Sequence, residues 1–260
     1  MSNAAVDKPR KPKTLKSRIK TIVNWPGKAG TRKIEEVMGK NSLVGDVPVF
    51  PRGTFDFVPM LEANWETIRR ELEGVIAERD NMPTMQYISK TQKKIIKTEG
   101  WKTYFFNAYG ERAEENCRRC PETAKIIEQI PNLELAFFSI LAPGSHIRAH
   151  RGVFKGLVRG HLGLIVPEPS DKVRMSVGPE MVYWREGECV MFDDTYMHEI
   201  WNETDATRVV LLFDVRRPLP PALDAFNRAL LRVARYMPFV REPVRQHRAW
   251  EAEFYGKKAA

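Results

Sequence analysis

Leu135-Ala-Phe-Phe-Ser-Ile-Leu141, Gly160-His-Leu-Gly-Leu-Ile-Val166, Lys172-Val-Arg-Met-Ser-Val177, Met181-Val-Tyr-Trp184, Cys189-Val-Met-Phe192 and Thr207-Arg-Val-Val-Leu-Leu-Phe-Asp-Val215 are the segments that decide the fold. Each is short and either apolar or alternating, with the β-branched and aromatic residues that suit a pleated, half-buried strand. Between them stand Pro143-Gly144, Pro167-Glu-Pro-Ser-Asp171, Gly178-Pro-Glu180, Glu186-Gly-Glu188 and Asn202-Glu-Thr-Asp205, all turn chemistry. Six short strands at near-regular spacing predict an antiparallel barrel or jelly roll.

The flanks read differently. Asp46–Val58 is extended chain broken by prolines. Leu61, Trp65, Ile68, Leu72 and Ile76 recur at helical spacing and predict a helix from Met60 to Glu78. Pro121 opens a second helix that closes before Pro131. Beyond the strands, Leu223, Phe226, Leu230, Val233 and Met237 form one apolar stripe, with Arg228, Arg232 and Arg235 off it. The expected organisation is therefore a basic, unstructured arm over 1–45, a helical layer over 46–132, a jelly-roll core over 133–218, and a basic amphipathic helix and tail over 219–260. The fold class is mainly β with flanking helices.

Composition agrees with a globular chain. The 260 residues are 43% hydrophobic, 10% aromatic and 29% charged, enough to bury a sizeable core. The apolar run Val209–Phe213 stops at Asp214, far short of a membrane span. Three cysteines argue against a disulfide framework, and Met1–Arg10 contains no apolar stretch of the secretory kind, so a cytoplasmic location is expected. The net charge of +9 is uneven: residues 1–33 hold ten Lys/Arg against one acid, and residues 216–260 hold ten against four, leaving a mildly acidic body. No base-stacking aromatics or DNA-binding spacing accompany the basic ends, which excludes a nucleic-acid partner. Two readings of the C-terminal helix stand: packed on its own domain with a solvated arginine face, favoured because such helices are common, or peripheral on an anionic surface such as the inner membrane.

Four of the five histidines, His146, His150, His161 and His198, fall within the β core. His146-x-x-x-His150 would suit zinc on a helix, but Pro143-Gly144 opposes a helix there. A better pairing takes His150 from the end of one strand and His198 from another, followed ten residues later by Arg208. Two imidazoles can hold Fe(II) with sites left open, and a permanently charged arginine anchors a carboxylate with two prongs. That order suits iron with a dicarboxylate such as 2-oxoglutarate. Arg159 and His161, two apart on one strand, face the same way and could hold the second carboxylate. His146 and Asp194 are candidates for groups behind the ligands, and Asp193 for a turn. Cys117-Arg-Arg-Cys120 reads as incidental, Trp184 and Trp201 as core, and His247 as solvated.

Ser139–Gly152, Arg159-Gly-His-Leu-Gly-Leu164, Phe192-Asp-Asp-Thr-Tyr-Met-His-Glu-Ile-Trp-Asn202 and Arg208–Pro218 together resemble the aspartyl/asparaginyl β-hydroxylase family. The resemblance spans roughly 50–220. It implies a double-stranded β-helix, the cofactor Fe(II), the co-substrates 2-oxoglutarate and O2, and a hydroxylase. It implies His150 and His198 as iron ligands, Arg208 with Ser139 on one carboxylate of 2-oxoglutarate, and Arg159 with His161 on the other. Wider 2-oxoglutarate enzymes carry an acid two residues after the first histidine; here Gly152 stands there, leaving that place to water or halide. Trp65–Leu72, Gly100–Phe105 and Cys120–Thr123 are similar to the branch acting on lipid acyl chains, so a lipid substrate leads and a peptide Asp or Asn is the alternative. A non-catalytic binding barrel is the rival from another class, and the intact His150, His198 and Arg208 speak against it.

Overall fold

The computed structural model describes residues 28–89, 95–96 and 99–259. Helices α1 (Lys28–Lys40), α2 (Val58–Ala63), α3 (Trp65–Ile76) and α4 (Met85–Ile88) precede strands β1 (Trp101–Ala108) and β2 (Glu111–Arg112). Helices α5 (Glu114–Arg119) and α6 (Pro121–Glu128) follow. Next come β3 (Leu133–Leu141), β4 (Ser145–His150), β5 (Leu157–Ile165), β6 (Val173–Val177), β7 (Glu180–Tyr183), β8 (Cys189–Phe192), β9 (His198–Asn202) and β10 (Arg208–Arg216). Helices α7 (Pro221–Ala234) and α8 (Pro238–Ala259) close the chain.

Two antiparallel sheets result, a large one ordered β2-β1-β3-β10-β5-β8 and a small one ordered β4-β9-β6-β7. From β3 onward the chain crosses between them: β3, β5, β8 and β10 lie in the large sheet, β4, β6, β7 and β9 in the small one. This is the expected jelly roll. Its central strand β10 is buried on both faces, which explains why its sequence is a near-continuous apolar run. Val209, Leu211 and Phe213 point outward onto Ile68, Leu72 and Ile127 of α3 and α6. Val210 and Leu212 point inward with Met175 and Ile200 of the small sheet. Period-two alternation then sends Arg208 and Asp214 to the inner face. At Gly160 of β5 the pairing with β10 requires glycine, because a Cβ would stand 2.1 Å from the ring of its cross-strand partner Phe213.

Several expectations are corrected. The stretch 46–132 is not helical throughout: β1 and β2 extend the large sheet, and β1 is an apolar strand whose alternation a bulge interrupts between Phe105 and Asn107. The single helix over 60–78 is two, parted at Asn64, whose side chain donates to the Met60 carbonyl at 2.8 Å. Lys28–Lys40, inside the segment read as an unstructured arm, is helix; Lys8–Lys13 lies outside the described residues. Helix α7 packs on its own domain, but rotated from the predicted stripe. Asn227 and Leu231 are buried while Phe226 and Val233 are about half exposed, because Asn227 donates to the Gly156 carbonyl at 2.8 Å. Trp184 is core, whereas Trp201 sits half-buried on the outer face of the small sheet, stacked on His146. His247 is not solvated; it is buried against Phe105 and Trp250.

One buried charge cluster ties the ends of the barrel together. The fully buried Arg217 donates to Lys155 O, Ser42 Oγ, Gly45 O and the Asp193 carboxylate, and Asp193 also accepts from Thr195 N and Oγ1 and pairs with Lys155 at 3.2 Å. Removing one partner leaves an uncompensated buried charge, so Arg217→Ala should cost about 3–5 kcal/mol of stability, measured by denaturant unfolding.

Candidate active site

His150 ends β4 and His198 begins β9, and the two are cross-strand partners. Their rings lie 4.1 Å apart, centroid to centroid. A register shift between Ile147 and His150 lets β4 bend as it brings His150 opposite its partner. Each ring turns Nδ1 onto a backbone carbonyl two residues back, His150 to Arg148 at 2.8 Å and His198 to Tyr196 at 3.0 Å. That contact assigns the proton to Nδ1 and leaves Nε2 as a free lone pair. Burial, reinforced by the neighbouring His150, draws His198 down to about 3; burial also lowers His150. Both rings are neutral at pH 7, the state in which imidazole binds metal. Among the described residues no group of three or more His, Cys, Asp or Glu gathers to hold a metal.

The space a side chain at position 152 would take is filled by Asp194. A Cβ at Gly152 would lie 2.2–2.4 Å from the Asp194 carboxyl atoms, so the glycine's missing side chain is what lets that carboxyl in. Gly152 N also donates to Asp194 O at 2.6 Å, locking the two loops. Burial pushes the Asp194 carboxyl up to about 6 despite Arg159 at 3.1 Å. Gly152→Ala should displace Asp194 and cost about 1–3 kcal/mol by overpacking, read as a lowered denaturation midpoint with an unchanged slope.

Across the barrel, Arg208 is fully buried and has no carboxylate partner among the described residues. Its only hydrogen bond there is a long one, 3.5 Å from Nη1 to Ser139 O, while Nε and Nη2 are unsatisfied. Burial draws its pKa down to about 9, which still leaves it charged at neutral pH. The guanidinium lies 4.6 Å over the Trp184 ring. His161 lies 5.8 Å from the same ring, buried, with both ring nitrogens unsatisfied, and burial and Arg208 hold it well below its ordinary pKa. Phe192 bridges His161 (5.0 Å) to His198 (5.9 Å), so the cation, the orphaned imidazole and the histidine pair share one interior. Ser139 is buried on the inner face and accepts from Trp101 Nε1 at 3.0 Å. A lone buried cation beside unsatisfied donors costs several kcal/mol unless an anion joins it. The residues therefore fit a ligand that carries a carboxylate.

Arg159 is placed in the same interior but is not free. Asp214 takes its Nε and Nη2 at 2.7 and 2.8 Å, and Asp194 its Nη1. Sequence reasoning missed Asp214, although an acid inside the apolar run of β10, six residues after Arg208, was the available signal. His146 is not in the interior; it sits exposed on the outer face of the small sheet, paired with Glu199. Cys117 and Cys120 are buried free thiols whose pKa values burial raises.

With this geometry in hand, the comparisons are specific. Residues 62–218 match the family described as aspartyl/asparaginyl β-hydroxylase. An ornithine lipid ester-linked acyl 2-hydroxylase from Rhizobium tropici is 39% identical over 250 residues, covering 96% of this chain and 86% of that protein. The human aspartyl/asparaginyl β-hydroxylase is 29% identical over 64% of this chain, which spans 22% of the human protein's length. A solved Pseudomonas putida prolyl-4-hydroxylase is a remote likeness, with a TM-score of 0.38 and 19% identity over 59% of this chain and 87% of that one.

Proposed function

Because the chain belongs to the aspartyl/asparaginyl β-hydroxylase family, we propose that it is a hydroxylase using Fe(II), 2-oxoglutarate and O2, and that its substrate is the acyl chain of a membrane lipid of the ornithine-lipid type. The observation that carries the cofactor reading is the buried, unpartnered Arg208 facing an interior that ends at two neutral imidazoles with free Nε2 atoms. His150 and His198 would hold the metal. Arg208 and Ser139 would take one carboxylate of 2-oxoglutarate, and His161 with the two Arg159 N–H groups that Asp214 and Asp194 leave over would take the other. When bound, iron and 2-oxoglutarate supply the oxidising power that converts a C–H bond and O2 into an alcohol, releasing succinate and CO2.

The chain's own contribution is position and dryness. Trp184 holds the Arg208 guanidinium against its face, so the anchor is presented without a competing carboxylate. Asp214 and Asp194 orient Arg159 from two sides, so the guanidinium keeps one pose with or without an occupant. Phe192 and Trp184, both fully buried, line the path and exclude water from the reacting centre.

Support for a lipid comes from extent. Similarity to the R. tropici lipid hydroxylase covers nearly the whole chain, whereas similarity to the human peptide enzyme covers 64%. Helix α7 presents Phe226 and Val233 outward beside Arg228 and Arg232, which suits peripheral contact with an anionic membrane surface. None of the described helices is long and apolar enough to cross a membrane. Deleting the gene should shift one lipid class in whole-cell extracts by the mass of one oxygen, and re-expression should restore it. Unchanged lipids, with hydroxylated Asp or Asn in peptides incubated with the iron-loaded protein, would replace the lipid substrate with a peptide.

A further inference from the structure

The interior holding Arg159 continues into an apolar cavity of about 510 Å3, within the roughly 300–1,000 Å3 of small-molecule sites. Phe105, Phe137 and Leu212 of the large sheet's inner face form its floor. Leu230 and Leu231 of α7 and Val244 of α8 form its roof. Arg159 and the loop residues Val153 and Phe154, three and four places after His150, also line it. Charged groups on its walls are already engaged: Arg159 by Asp214, Arg112 by Glu128, and Glu111 by Arg248. Glu251 is the exception: it lies 3.6 Å from His247 with its Oε1 buried and unpartnered, and burial pushes the carboxyl up to about 7, toward its neutral form. A cavity with little unsatisfied charge and an apolar floor and roof favours hydrocarbon over a polar peptide.

The roof also has an informative place in the sequence. Leu230, Leu231 and Val244 lie beyond Pro218, where the family match ends, yet within the nearly complete alignment to the lipid hydroxylase. The jelly roll alone thus leaves the inner face of β1 and β3 open at this end, and the two C-terminal helices cover it.

We propose that this cavity holds one acyl chain of the lipid substrate, its methyl end beneath α8 and its oxidised carbon at the His150–His198 end. The assignment deepens the lipid reading above and rests on it for the identity of the chain, but the cavity's taste for hydrocarbon can be tested by itself. Iron-loaded, full-length protein would be titrated with the fluorescent fatty acid cis-parinaric acid, and unlabelled saturated fatty acids of increasing length would compete. Affinity should rise about fourfold per added methylene until the space is filled. Val244→Trp and Leu230→Trp, both at half-buried roof positions, should weaken binding at least tenfold while each variant keeps its thermal shift with 2-oxoglutarate, which shows an intact fold and anchor. Absence of binding to the wild type, or equal binding to both tryptophan variants, would overturn the proposal. Parinaric acid binding that is sensitive to Val244→Trp, in a protein that hydroxylates peptides and no lipid, would uphold the hydrocarbon cavity and remove the lipid substrate. Lipid hydroxylation with an unchanged KM in both variants would do the reverse.

Discussion

Purified His198→Ala should fold, retain no stoichiometric Fe(II), and decarboxylate no 2-oxoglutarate. Two neutral imidazoles face each other at 4.1 Å, and among the described residues no other cluster of ligating side chains could replace either. Disturbing merely the group behind a metal ligand costs about 10–100-fold in affinity or activity, so removing one ligand of two should cost more. The fold should survive, because β9 is held by backbone pairing to both β4 and β6. Metal analysis, circular dichroism and succinate release check the three parts separately. Full turnover in a folded His198→Ala protein would remove the histidine pair from the chemistry.

Arg208→Met should act in two opposite directions. The side chain is fully buried with no carboxylate beside it, so the protein without ligand carries an uncompensated charge in its interior. A methionine of similar length removes that penalty and should stabilise the ligand-free protein by about 1–4 kcal/mol, visible as a raised melting temperature. The same change removes the anchor: charge-assisted, two-pronged contacts to a carboxylate contribute about 1.5–3 kcal/mol each, so the apparent KM for 2-oxoglutarate should rise at least tenfold. Melting curves with and without 2-oxoglutarate read both effects. A variant that is less stable without ligand yet still stabilised by 2-oxoglutarate would mean that Arg208 serves packing and not binding.

Much of the fold was legible before any coordinates. Strand and turn signals from Leu133 onward are local: β3, β5, β6, β7, β8 and β10 lie where alternation and Gly/Pro punctuation put them, while β4 and β9 were not among the six segments read as strands. The helices and strands upstream were read less well. Trp101–Ala108 interrupts its alternation at a bulge, and a bulge shifts the side-chain period that strand recognition relies on. The stripe on α7 was real but misdirected, since Asn227's bond to Gly156 turns the helix and leaves Phe226 and Val233 outward. His247 was read as solvated because its neighbours in sequence are basic; its neighbours in space are Phe105 and Trp250.

The candidate site divides along the same line. Alternating hydrophobicity, turn residues and the order His150, His198, Arg208 are properties of short segments, so the chain by itself determined a two-sheet barrel and the residue types inside it. Which of its charges are neutralised depends on partners that strand pairing alone brings together. Asp214 reaches Arg159 because β10 lies beside β5, and Asp194 reaches the same guanidinium from the loop before β9. Among the described residues, Arg208 meets only the face of Trp184 and, at 3.5 Å, the Ser139 carbonyl. The tertiary structure therefore decided that Arg208 is the buried cation left without a carboxylate among the described residues, and that the helices α7 and α8 close an apolar space bordered by Arg159, because burial and pairing are set by distance in space rather than along the chain.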